Sequence, residues 1–246
     1  MNKNLKPFLS IVIPAHNEEN RLPSTLEQVF HFLEKQSFAH EVIVVENGST
    51  DRTHAIAQEF AERHQNLHVI RNDERGKGLA IQRGMKAAGG EYIFMCDADL
   101  SMPVEEISKF IPPQLKDVDI AIGSREAPGS IRYHEPYYRH LTGRVFNTLI
   151  RWLVLPNLQD TQCGFKCIRA DVAADIFPYQ TLTGWAFDVE LLYIARRHGY
   201  KVVEIPIHWY FNADSKISVF RDSLRMFLDL LQIRRNARRG LYDPKP

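Results

Sequence analysis

Cysteine is scarce. Cys96, Cys163 and Cys167 are the only three in 246 residues, and no C-x-x-C pair occurs. A disulfide-stapled secreted scaffold and a four-cysteine zinc knuckle are excluded on that ground, and a reducing, cytoplasmic setting is expected. Long apolar runs are also missing. The longest, Phe8 to Ala15 and Trp152 to Leu155, fall far short of the ~18–20 residues that cross a bilayer. Lys3 and Lys6 before the first run imitate a secretion signal, but Pro14 and the polar His16-Asn17-Glu18-Glu19 stand where a small-residue cleavage site belongs. Charge of one sign is lacking too: 31 Lys/Arg face 30 Asp/Glu, a net +1. That balance is uneven, with eight basic and three acidic residues from Lys216 onward (+5) and −4 in the remainder. A weakly acidic body with a basic end lacks the basic stripe of a nucleic-acid binder, so no nucleic-acid partner is expected. It suits an anionic membrane surface.

What is present is a foldable core: 44% hydrophobic and 25% charged residues suit one soluble α/β domain. Short β-branched runs alternate with amphipathic stretches, which predicts a mostly parallel sheet flanked by helices. The expected strands are Ser10–Ile13, Glu41–Val45, Leu67–Ile70, Glu91–Cys96, Val118–Ile122 and Val202–Trp209. The expected helices are Leu22–Lys35, Arg52–His64 with Ser49 or Thr50 as cap, Gly78–Ala88 stopped by Gly89-Gly90, Tyr137–Leu155 and Trp185–His198. No repeat, low-complexity tract or linker divides the chain, which predicts one compact unit. In open α/β sheets ligands bind beyond the carboxyl ends of the strands, so the polar residues just after each strand are the candidates for chemistry.

Asp97 and Asp99 stand at such an end, in Cys96-Asp97-Ala98-Asp99. Two carboxylates one residue apart suit Mg²⁺ or Mn²⁺, hard cations that take oxygen ligands and bridge to a diphosphate. The plain alternative is a solvated acidic turn. Pro14-Ala15-His16-Asn17-Glu18-Glu19 after the first strand and Glu46-Asn47-Gly48-Ser49-Thr50-Asp51 after the second form polar loops on neighbouring strand ends. Arg75-Gly76-Lys77-Gly78 follows the third. It lacks the P-loop order, and no G-x-G-x-x-G follows the first strand, which argues against P-loop and NAD folds.

In order and spacing these motifs resemble the nucleotide-sugar half of family 2 glycosyltransferases of GT-A fold. The resemblance implies a nucleotide-sugar-binding half over residues 1–126, with Pro14, Ala15, Asn17, Glu18, Glu46, Asn47, Lys77 and Asp97 on the donor. It implies a metal at Asp97 and Asp99, to which Gln162 would add an amide oxygen. The second loop departs from the family's usual Asp-Asp-Gly-Ser, which leaves uracil against guanine open. Ile122-Gly-Ser-Arg125, Arg139, Gln162-Cys-Gly-Phe-Lys166, Gly184-Trp-Ala-Phe-Asp188-Val-Glu190 and Ala213-Asp-Ser-Lys216 then occur in the order of polyprenyl-phosphate sugar synthases, the dolichyl-phosphate glucosyltransferases first and the mannosyl relatives next. The resemblance implies an acceptor half over 127–215 and an inverting, metal-dependent transfer of a hexose to a polyprenyl phosphate. Glucose from UDP-glucose is the favoured donor, with mannose from GDP-mannose second.

In that scheme Arg125 and Arg139 grip the acceptor phosphate, guanidinium forks matching phosphate geometry. Lys216 faces the leaving diphosphate, Asp188 and Glu190 shape the acceptor site, and Asp188, for a hydroxyl acceptor, serves as base. Competing readings are a saccharide or small-molecule hydroxyl acceptor and a non-catalytic nucleotide-sugar binder. From Phe220, apolar Phe220, Leu224, Phe227, Leu228 and Leu231 recur at helical spacing before Arg234, Arg235, Arg238 and Arg239. Residues 216–246 therefore read as a basic amphipathic helix and tail for a membrane surface, making the protein peripheral at the cytoplasmic face. The helix around Val145, Phe146, Leu149, Ile150, Trp152 and Leu153 is similarly apolar. The alternative for both helices is packing on the body or on a second subunit of a homodimer.

Overall fold

The structure, a computed structural model, describes residues 6–212 and 219–244. Side chains of 219–224 and of Arg139 lie outside that description, as do Lys216 and its neighbours entirely.

The strands form because β-branched residues alternate faces with period two. In β1 (Leu9–Ala15), Ile11 and Ile13 join one core cluster while Val12 joins the other; in β2 (His40–Asn47), Val42 and Val44 face the first and Ile43 and Val45 the second. A sheet buried on both faces needs helices on both. α1 (Leu22–Glu34) and α2 (Thr53–Arg63) bury Leu26, Val29, Leu33, Ala57 and Phe60 in one cluster, and α3 (Lys77–Ala87) buries Ala80, Ile81 and Met85 in the other. With β3 (Leu67–Asn72), β4 (Tyr92–Met95), β5 (Ile120–Ser124), β7 (Lys166–Arg169) and β8 (Val202–Pro206), the sheet has seven strands in the order β3-β2-β1-β4-β7-β5-β8. Only β7 runs antiparallel, against both β4 and β5. β6 (Ile131–Tyr133) pairs with β9 (His208–Tyr210) apart from the main sheet.

The expected elements of the first half are all present within a residue or two. The strand expected over Val202–Trp209 is two: Pro206 has no N–H to continue a ladder, Ile207 is fully buried, and β8 and β9 join different sheets. The second half also holds elements the periodicity missed, β7 and α5 (Ala170–Ile176), both too short to show a period. α4 (Tyr137–Leu153), α6 (Phe187–Arg197) and α7 (Val219–Arg238) complete the chain. Neither Ser49 nor Thr50 caps α2: Asp51 Oδ1 accepts from the Thr53 N–H at 2.9 Å, while Ser49 and Thr50 bind the loop after β1. Among the described residues no helix is long and apolar enough to cross a membrane.

Candidate active site

The loops after β1 and β2 are stitched together before any ligand arrives. Asn17, in the left-handed region at φ +53°, accepts the Thr50 N–H on Oδ1 at 2.9 Å, and its own N–H donates to Ser49 Oγ at 3.1 Å. The Glu18 N–H donates to Thr53 Oγ1 at 2.7 Å, and its carboxylate holds Arg21 at 2.6 and 2.9 Å. His16 Nδ1 lies 2.8 Å from the Asn47 carbonyl. Glu46 is buried and accepts the Ser49 N–H, and Asn47 Oδ1 accepts from Asn72 Nδ2 at 3.2 Å. Pro14 and Ala15 close β1 beneath this pair of loops, Ala15 buried and Pro14 half-buried. The carboxylates of Glu18 and Glu46 thus shape the loops.

The antiparallel entry of β7 brings the second half to this edge. Its register sets Lys166 between Met95 and Ile122, and two residues further along it Gly164 stands across from Asp97. A Cβ on Gly164 would lie 2.0 Å from Asp97 Oδ2, so only glycine lets the carboxylate rest on that backbone. Lys77 meets Asp97 from the other side, Nζ to Oδ1 2.7 Å, and lies 5.2 Å from the ring centre of Trp185. The first turn of α3, which carries it, is fastened by glycine as well: the Gly78 N–H donates to Thr183 O at 2.9 Å, and a Cβ on Gly78 would strike Phe187 at 2.6 Å. Burial opposes the Lys77 charge, but Asp97, with Asp188 and Asp99 behind it, holds the ammonium above the ordinary lysine range.

Asp99 accepts the Ser101 N–H at 3.1 Å; burial first, and Asp97 second, push its carboxyl above the ordinary value. A cation beside the two carboxylates would relieve the cost of charge on Asp99. Among the described residues no three His, Cys, Asp or Glu side chains gather as a metal cage. An ion held here would take two carboxylates, with its other ligands from a diphosphate, water and the half-buried Gln162 two residues before Gly164. This oxygen-only, substrate-completed donor set fits Mg²⁺ or Mn²⁺.

Lys166, which closes the Gln162–Lys166 motif, and Asp160, just before it, were given no role by the sequence reading. Lys166, 2% exposed, places Nζ 2.7 Å from Asp188 Oδ1 and donates to the Cys163 carbonyl at 2.5 Å. Burial raises the Asp188 carboxyl above its usual range, with Lys166 and then Lys77 pulling against it. Asp160, fully buried, accepts Arg125 Nε at 2.7 Å, Nη2 at 2.8 Å and the Arg125 N–H at 2.9 Å. The fork that would grip a phosphate is therefore closed on Asp160, and Arg125 also lies 5.4 Å from the ring centre of Trp209. The signal for Lys166 was a charged residue inside the apolar run Phe165 to Ile168. Asp160 gave none, because its partner lies 35 positions away. Arg139 sits in the first turn of α4, and Lys216 lies outside the described residues.

Residues 10–177 match the profile of Glycosyl transferase family 2. The chain belongs to that family. It is a glycosyltransferase, and its sheet is that of the GT-A fold. Among curated relatives it is 36% identical over 244 residues to the dolichyl-phosphate beta-glucosyltransferase of Homo sapiens, covering 92% of this chain and 74% of the relative. It is 31% identical to that of Dictyostelium discoideum (97% and 77% covered) and 32% to that of Saccharomyces cerevisiae (96% and 76%). Solved structures with the same fold include glucosyl-3-phosphoglycerate synthase of Mycobacterium tuberculosis with UDP (TM-score 0.67, 18% identity, 97% of this chain and 82% of that one). The same synthase with Mn²⁺, UDP-glucose and phosphoglyceric acid gives TM-score 0.67 at 17% identity, covering 97% and 81%.

Proposed function

We propose that this glycosyltransferase moves glucose from UDP-glucose to a polyprenyl phosphate such as dolichyl phosphate, with inversion to a β-linked product. The observation that carries the reading is the likeness along 92–97% of the chain to enzymes named dolichyl-phosphate beta-glucosyltransferase. UDP-glucose with Mn²⁺ on a structure of the same fold supports the donor.

Pro14, Ala15, Asn17, Glu18, Glu46 and Asn47 form the nucleoside cradle, and Lys77 and Asp97 meet the diphosphate. Asp97, Asp99 and Gln162 would hold Mg²⁺ or Mn²⁺, which when bound neutralises the departing diphosphate. The acceptor phosphate has a second pKa of about 6 and is largely dianionic at neutral pH, so its oxygen attacks the anomeric carbon without a strong base. The protein's task is to hold two repelling anions in line. Arg139 and Lys216 are assigned to the anions directly. Arg125, with Nε and Nη2 on Asp160, shapes the acceptor side and offers its remaining nitrogen. Asp188, neutralised by Lys166, positions the acceptor.

A lipid acceptor calls for a surface that meets lipid, at the cytoplasmic face of a membrane on this reading. α7 buries Leu230, Ile233 and Ala237 and turns Leu228 and Leu231 outward, so packing on the body and facing the membrane fall to different sides of one helix. α4 likewise packs Phe146, Leu149, Ile150 and Leu153 inward. Its outer stripe, Tyr138, Leu141, Val145 and Trp152, is 53–82% exposed on a helix without Asp or Glu, which suits an anionic lipid interface.

The test is transfer of label from UDP-glucose, with GDP-mannose in parallel, into solvent-extractable lipid in the presence of Mn²⁺ or Mg²⁺. Glucose label that vanishes with chelator is expected. Label from neither donor, with nucleotide binding intact, would move the acceptor to a hydroxyl compound.

A further inference from the structure

Glu190 has no part in the reaction just described, yet it is fully buried. Among the described residues its charge is met by hydrogen-bond donors: the Thr181 N–H at 3.0 Å, the Thr181 hydroxyl at 2.5 Å, the Leu182 N–H at 2.8 Å and the Tyr242 hydroxyl at 2.6 Å. A carboxylate with four good donors is firmly seated.

Each end of this arrangement leads somewhere. On one side is the turn after α7, where the chain reverses at Gly240 and returns Tyr242 to the core with no exposed surface. Asn236 Nδ2, also buried, donates to both the Tyr242 hydroxyl at 3.0 Å and the Thr181 hydroxyl at 3.1 Å. On the other side, the segment Glu190 holds is the one that fastens the start of α3, where Lys77 stands. Gln180 Nε2 donates to Gly78 O at 2.9 Å and to Leu182 O at 2.8 Å, and Thr183 O accepts the Gly78 N–H at 2.9 Å. Lys77, between Gly76 and Gly78, then reaches Asp97.

We infer that the turn over residues 236–242 is a positioning element of the donor site, with Tyr242 and Glu190 setting, through residues 180–183, where Lys77 stands. The inference rests on Lys77 meeting the donor diphosphate. A merely structural tyrosine would stabilise the fold without favouring one substrate. This one is joined to the start of α3, where Lys77 stands, by hydrogen bonds through the backbone of residues 180–183; Glu190, Tyr242 and Gly78 in that series are buried, where misplacement is not absorbed by solvent, while Thr181 and Thr183 are exposed.

The experiment is a double-mutant cycle on the full chain, read by calorimetric binding of UDP with Mn²⁺, and of GDP in parallel, with steady-state KM values alongside. Tyr242→Phe deletes the hydroxyl that donates to Glu190 and accepts from Asn236 while keeping the ring; it is expected to weaken nucleotide binding and raise donor KM about tenfold, with acceptor KM within about twofold. In a Lys77→Ala background the same substitution is expected to cost less than about twofold, because its route runs through Lys77. Arg197→Ala, which releases Asp243 of the same turn without touching Glu190, is the stability control and is expected to leave nucleotide binding within about twofold. If Tyr242→Phe does not fold, Thr181→Val removes another donor to Glu190 and reads the same quantity. A lowered Tm with unchanged nucleotide binding, or equal losses in both backgrounds, would overturn the inference. Lys77→Ala binding nucleotide like the parent would overturn the donor-site reading itself, and the relay with it.

Discussion

Arg125 and Asp160 show how burial decides what a charged residue can do. A fully buried carboxylate is costly unless paired and hydrogen-bonded, and Arg125 supplies three donors. Burial alone would raise the Asp160 carboxyl, but the guanidinium outweighs it and holds it below the ordinary 3.8. The pair's stabilisation is therefore complete above that value and is lost only as pH falls through the lowered one, leaving stability flat in this respect from pH 5 to 8. Arg125→Leu reverses the sign. With burial opposed only by the backbone N–H of residue 125 and the more distant Lys166, Asp160 binds a proton in the folded state that the unfolded chain releases, so stability falls as pH rises. Denaturant unfolding is expected to show a loss of about 3–5 kcal/mol at pH 8, partly recovered at pH 5; an Arg125→Leu chain as stable at pH 8 as at pH 5 would contradict the account. The D-x-D and the glycine-bearing loops were legible because their geometry is local. The pairing of Arg125 with Asp160 was not, since it depends on a partner brought in by the fold.

At the scale of elements, β7 matters most. Four residues entering antiparallel between β4 and β5 carry Gly164 and Lys166 to the edge where Asp97 and Asp188 stand. The first half was readable because its strands and helices are long enough for period two and period 3.6 to separate. β7 and α5 are too short for either, and the split at Pro206 hides in one continuous apolar run. Helix faces were harder still: α4 and α7 each carry apolar residues on two sides, so amphipathic spacing alone could not say which side is buried. The outer stripe of α4 gives a prediction at this scale. Leu141→Ser, Val145→Ser and Trp152→Ser together are expected to reduce binding to anionic-lipid vesicles by about tenfold or more, because apolar area is lost from the interface. Stability should change little, since these positions are exposed. Unchanged vesicle binding, with a dimer converted to monomer, would instead make the stripe a subunit contact.

Over the whole molecule, the two halves are interleaved rather than joined in series. The first contributes the stitched loops, Lys77 and the paired aspartates. The second contributes the strand that seats Asp97, the Lys166–Asp188 pair, and the turn that closes on Glu190. The sheet edge thus collects Asp97 and Asp99, carboxylates suited to a cation, with Lys77 beside Asp97. In the proposed reaction the nucleophile is a phosphate, already anionic. The most direct measurement compares a polyprenyl phosphate with the matching polyprenol as acceptors for UDP-glucose under identical metal and detergent conditions. The account predicts lipid-linked glucose with the phosphate and at most about 1% of that rate with the alcohol, roughly the hundredfold scale of activation by a positioned base that this site does not supply. Equal transfer to the alcohol would contradict it and would make Asp188 a base.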